Sequence, residues 1–114
     1  MGRYIVKLGE FYLEWSTITD SPVTFGMMEK EFREYYKAEY GRAGLRGLDT
    51  RLTRTKAYGT SSWDPKMTAS RLFRGNRAGP DGGELTKDEV YRAYCRHESI
   101  RDGWVVPIAG GSSA

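Results

Sequence analysis

The pattern that most limits the fold lies in residues 3–16, RYIVKLGEFYLEWS. Tyr4, Val6 and Leu8 alternate with Arg3, Ile5 and Lys7. After Gly9-Glu10 the alternation resumes, with Phe11, Leu13 and Trp15 set against Tyr12, Glu14 and Ser16. Two runs of period two around a Gly-X pair predict a β-hairpin, with Gly9 at the first central position of a type II′ turn. A hairpin with one apolar face is marginal in water by itself. The rest of the chain must therefore cover it.

The cover is next in sequence. Met28, Phe32, Tyr36 and Tyr40 recur every four residues, which predicts a helix over 27–40. Gly41 is suited to end it in the left-handed conformation, and Thr24 or Gly26 to cap its start. Between hairpin and helix stand Asp20, Ser21 and Pro22, all strong turn formers. The stretch reads as a connector. Its hydroxyls and carboxylate (Thr17, Thr19, Asp20 and Ser21) are a secondary contact candidate.

Further along the pattern weakens. In residues 42–58 the leucines 45, 48 and 52 have helical spacing, while Thr50, Thr53 and Thr55 favour a strand. A short helix over 49–58 is expected, capped by Asp49 and stopped by Gly59. Residues 59–83 are punctuated by GTSSWDP, RGN and AGPDGG and read as loop-rich, with one short strand expected across Ala69–Phe73. Trp63 and Phe73 are expected to pin this segment to the core. TKDE at 86–89 is a capping box opening a helix over 86–96. Asp102-Gly103 marks a turn before a last strand at Trp104–Val106. The whole gives an α+β domain over 1–108 with a flexible tail at 109–114. Its small antiparallel sheet, the hairpin plus the C-terminal strand, is covered on one face by the helices at 27–40 and 86–96.

A chain of 114 residues has the size of one domain. No apolar run reaches the roughly 20 residues of a membrane span. MGRYIVKLGEF holds no signal core of about 7–15 apolar residues, so a cytoplasmic protein is expected. The lone Cys95 excludes an internal disulfide and reads as a packed apolar group. His97, two residues on, points to another side of the helix and reads as a surface residue.

Motifs for catalysis are missing. GNRAGPDGGEL lacks the GK[ST] ending of a phosphate loop. There is no Gly-x-Ser-x-Gly and no D-x-D-x-D-G run. A non-enzymatic chain without cofactor or metal is expected.

Charge is the more informative signal. Residues 42–77 hold nine cations and two anions, a balance of +7, between flanks of −2 each. Three readings fit this block. It is a solvated face pairing with the acidic flanks, a nucleic-acid surface, or an arginine and aromatic protein interface. The candidate contact residues are Arg51, Arg54, Lys56, Trp63, Arg71, Arg74 and Arg77, with Tyr58 and Phe73 interleaved.

YIVKLGEFYLEWSTITDSPVTFGMMEKEFREYYKAEYG, residues 4–41, resembles small proteins encoded by bacteriophages and prophages. The resemblance implies a short single-domain chain that works by binding, as anti-CRISPR proteins do. Its partner would be a host protein or nucleoprotein complex in the bacterial cytoplasm, and its effect stoichiometric inhibition. Direct nucleic-acid binding through 42–77 and a phage structural or assembly role are the alternatives.

Overall fold

The computed structural model describes residues 2–107. The tail expected over 109–114 lies outside them. The hairpin forms as read: β1 (Arg3–Leu8) pairs antiparallel with β2 (Phe11–Ser16), Leu8 opposite Phe11. Gly9 takes φ 59° while Glu10 stays at negative φ, as a type II′ turn requires.

The third strand, β3 (Ser21–Pro22), comes from the polar connector itself. It lies antiparallel to β2 at the outer edge, with Pro22 opposite Trp15. Proline is tolerated there because an edge strand has N–H groups with no ladder to fill. The C-terminal strand does not join the sheet. Trp104 bridges only to Ile100, across a turn in which Arg101, Asp102 and Gly103 all have positive φ. Its place is already taken on both sides. β3 flanks β2, and the segment around Thr60 flanks β1, where Lys7 N–H donates to the Gly59 carbonyl and Ser61 N–H to the Ile5 carbonyl.

The sheet is covered on two faces rather than one. Val6, Leu8, Leu13 and Trp15 pack with Leu72, Phe73, Leu85, Val90, Tyr94, Cys95 and Ile100. Ile5 and Tyr12, on the opposite face by the period of two, pack with Met27, Phe32, Tyr36, Leu48 and Leu52. The helix after the connector therefore lies on the face that looked half polar. The C-terminal half covers the apolar face. Tyr12 to Ser16 are all buried, as suits a central strand.

On the helix side, α1 (Glu29–Leu45) is broken at Gly41, which adopts φ 65° and ψ −159°. Its amino end is capped differently from expectation. The Glu31 carboxylate accepts the Met28 N–H at 3.3 Å, while the Thr24 hydroxyl accepts the Glu14 N–H at 3.1 Å. Gly26 serves close packing instead: a Cβ there would stand 2.5 Å from Cys95 Sγ. α2 (Leu48–Tyr58) runs between Gly47 and Gly59, both left-handed, so Asp49 is not its cap.

The expected strand at Ala69–Phe73 is a short helix, α3, whose cap Thr68 accepts the Arg71 N–H on its hydroxyl. α4 (Lys87–Val90) opens with the Thr86/Glu89 capping box. It continues as one π-helical turn, Tyr91–Cys95, where Arg96 N–H reaches the Tyr91 carbonyl. Between α3 and α4 the glycine-rich loop is organised by buried Asn76. Its amide donates to the Phe73 and Leu85 carbonyls and accepts from the Ala78 and Leu85 N–H groups. No helix among the described residues is long and apolar enough to cross a membrane.

A buried carboxyl group joins α1 to the sheet. Glu14, 2 % exposed, accepts hydrogen bonds from the Tyr35 and Tyr40 hydroxyls and from Arg3 Nη1 at 3.3 Å. Burial, followed by the bond to this carboxylate, pushes both tyrosines well above their ordinary 10.0. Burial alone pushes Tyr94 up to about 12.

Two expectations follow. Phe32 is wholly buried among Tyr12, Tyr35 and Tyr36. Phe32→Ala should cost about 3–5 kcal/mol in denaturant unfolding, and an unchanged midpoint would contradict this packing. Alkali should also destabilise the fold. Tyrosines whose folded pKa is raised contribute stability that is complete below pH about 10 and is lost as pH rises through their folded values. The melting temperature should fall above that pH. In a tyrosinate absorbance titration, Tyr35, Tyr40 and Tyr94 should resist ionisation until the chain unfolds.

Candidate functional site

α2 presents two different sides. Leu48, Leu52 and Thr55 turn inward, four and then three residues apart. Thr50, Thr53 and Ala57 lie outward, and their small side chains leave a shallow floor. The chain leaves α2 at Gly59 and returns beside this floor through Thr60, Ser61 and Ser62, which are buried despite their polarity. Each has a local reason. Ser61 Oγ accepts the Ile5 N–H at 2.9 Å, Thr60 Oγ1 accepts the Ser62 N–H, and Ser62 Oγ accepts the Asp64 N–H. The Arg54 Nε–H donates to the Ser62 carbonyl at 2.8 Å, tying the return segment to the helix.

That bond fixes the Arg54 guanidinium between two rings. Its central carbon lies 3.6 Å from the Trp63 ring centroid and 5.4 Å from that of Tyr58. Stacking on aromatic faces suits the planar, weakly hydrated guanidinium. Trp63 is nevertheless 67 % exposed and Tyr58 68 %. Trp63 does not pin the segment to the core, contrary to expectation. Phe73 does, edge-on to Trp15 at 5.1 Å. Tyr58, Trp63 and Arg54 rim an open cleft of about 470 Å³ floored by Thr50, Thr53 and Ala57, with Asp49 at its end. Here are two large rings and a cation, held in place and facing solvent.

The other basic candidates separate into two groups. Arg51 and Lys56 belong to the junction of α1 and α2. Arg51 donates to the Tyr36 hydroxyl, and Lys56 pairs with Glu29 at 2.9 Å. Arg33 bridges Glu29 and Asp49 across the same junction. Lys56 and then Arg33 hold the Glu29 carboxyl below its ordinary 4.5. Arg71, Arg74 and Arg77 lie on and after α3, all exposed. Among the described residues, Lys56 alone of the cations in 42–77 forms an ion pair with a carboxylate. The acidic flanks leave the rest of the block uncompensated.

The secondary candidates are engaged in their own turn. Ser16 Oγ accepts the Ile18 and Thr19 N–H groups, and the Thr19 and Ser21 hydroxyls stand 3.0 Å apart. Thr17 N–H donates to the Gly2 carbonyl, and Asp20 sits at φ 54°. The Asp20 carbonyl also accepts the Arg77 N–H at 2.8 Å, so this turn adjoins the end of the basic segment.

Nucleophilic chemistry finds little support in the remaining groups. Burial pushes the Cys95 thiol up to about 12, which keeps it protonated and unreactive at neutral pH. Among the described residues no cluster of three or more His, Cys, Asp or Glu side chains could hold a metal ion. Tyr58 was visible in the sequence as an aromatic four residues after Arg54. Its partnership with Trp63 depends on how the chain returns and had no local signature. No family model matches this chain, and neither a curated protein nor a solved structure is found similar to it.

The exposure of Trp63 is open to direct measurement. Trp63→Ala should remove most of the iodide-quenchable tryptophan fluorescence, because Trp15 is fully buried and Trp104 partly so. It should change unfolding free energy by less than about 1 kcal/mol, as surface substitutions do. A larger loss would place Trp63 in the core.

Proposed function

We propose that this chain is a non-enzymatic binding protein whose contact surface is the α2 face rimmed by Tyr58, Trp63 and Arg54. The observation that carries the reading is the preset Arg54 guanidinium stacked under an exposed Trp63. Interface energy concentrates in a few Trp, Tyr and Arg side chains. A residue already held in its bound position loses less freedom on association. The narrower form is stoichiometric inhibition of a host protein or nucleoprotein defence complex in the bacterial cytoplasm, as the resemblance to phage-encoded chains implies.

A second reading, direct binding of nucleic acid, draws on Arg71, Arg74 and Arg77, exposed and without acid partners among the described residues. Its contacts would be to phosphates, so affinity would fall steeply with salt.

The two readings part in one experiment. Nuclease-treated bacterial lysate is passed over the immobilised chain at low and high salt, beside Trp63→Ala and Arg54→Glu columns. Retention of a defined protein at both salts, in fixed ratio to the bait and lost in both variants, is the expected result. The purified partner should lose its activity when the chain is added at one equivalent. Retention that survives both substitutions would remove the α2 face from the reading. Salt-sensitive retention of purified DNA or RNA applied separately to the same columns, with no protein retained from the lysate, would favour the second reading.

A further inference from the structure

A different cleft lies where α3 and its following turn meet the start of α4. It has a volume of about 370 Å³ and is lined by Arg74 and Lys87, with the hydroxyl-bearing Ser70 and Thr86 beside them and Phe73 and Leu85 beneath. Its charges are arranged unusually. Glu84 also lines the cleft, and its Oε2 accepts the Gly75 N–H at 3.0 Å. Glu89 is held by Arg101 through both oxygens and by the Thr86 N–H. Asp88 lies 3.7 Å from Arg92. The neighbouring acids thus have other donors, whereas Arg74 and Lys87 have no acid partner among the described residues. Two cations lining one cleft repel each other, and a shared anion would relieve that cost.

We infer that this cleft binds a phosphoryl group. Arg74 supplies the planar fork that matches two phosphate oxygens, and Lys87 a compact charge for the third. The Ser70 hydroxyl adds a further donor in the lining. The Thr86 hydroxyl is engaged within its capping box, accepting the Glu89 N–H and bonding the Glu89 carboxyl, so it holds the wall of the cleft in place. Phe73 and Leu85 give the floor an apolar part, so the ligand class is a phosphate monoester with an apolar or aromatic group attached. A free nucleotide and the phosphorylated end of a nucleic acid share that chemistry. The site is separate from the α2 face, and its test is independent of the reading given for that face.

The test is a backbone amide NMR titration of the full chain, with sodium chloride at matched ionic strength as control. The probes are inorganic phosphate, a nucleoside monophosphate, and a short single strand with and without a 5′ phosphate. Saturable shifts centred on Ser70, Arg74, Gly75 and Lys87 are expected with the phosphorylated probes. A nucleoside monophosphate binding at least as well as the phosphorylated strand assigns the site to small molecules, and the reverse order to strand ends. Arg74→Gln with Lys87→Gln should weaken binding at least tenfold. Glu84→Gln keeps the acceptor for Gly75 while removing a repelling charge, and should tighten binding severalfold. Trp63→Ala should change nothing here. The inference is overturned by non-saturating shifts equal to those in chloride, or by affinities insensitive to both the double substitution and Glu84→Gln.

Discussion

A carboxyl side chain buried inside the protein, that of Glu14, holds the architecture in register. It sits in the middle of the central strand, and every polar part of it is engaged. Its N–H goes to Thr24 Oγ1, its carbonyl accepts the Val23 N–H, and its carboxylate takes two tyrosine hydroxyls and an arginine. Taking a carboxylate out of water costs several kcal/mol unless its lone pairs are filled. That requirement acts as a geometric instruction. The helix must present Tyr35 and Tyr40 over the strand, and the connector must fold back so that Thr24 meets the backbone. An apolar residue at this position could pack as well, but it would not distinguish one helix placement from another.

Much of the fold was legible. The hairpin turn, α1, its break at Gly41, the end of α2 at Gly59 and the Thr86/Glu89 box are each written within a few consecutive residues, where local rules apply. What escaped was long-range. Tyr12, Glu14 and Ser16 carry polar atoms and so resemble a solvent face. Only the tyrosines of α1 and the residues around Thr24 turn that face into a second interior. The helix at Ala69–Phe73 was locally decidable. The segment contains no β-branched residue and follows a threonine that can cap, which outweighs the loop-like surroundings.

The candidate site was half legible for a related reason. The basic block and its aromatics stand out in composition, yet composition cannot say which cations are already used. Arg51 and Lys56 were drawn into the junction between the helices, and Arg54 into the stack with Trp63. Arg71, Arg74 and Arg77 were left open. A large ring such as Trp63 is expected inside on hydrophobicity alone. Its outward position is set by the hydroxyls of Thr60 to Ser62, which take the buried places beside β1.

The way the sheet is bordered has a consequence for recognition. One flank is closed by the segment at Gly59–Ser61, and the other is a strand of two residues that ends in proline. An extended peptide that adds itself as a new strand needs a free ladder of N–H and carbonyl groups, and neither border offers one of useful length. Among the described residues, the sheet borders therefore turn recognition away from strand addition and toward side chains, and so toward shape and charge. Such recognition is tunable one residue at a time, and it leaves the sheet itself protected from pairing with other copies of the chain.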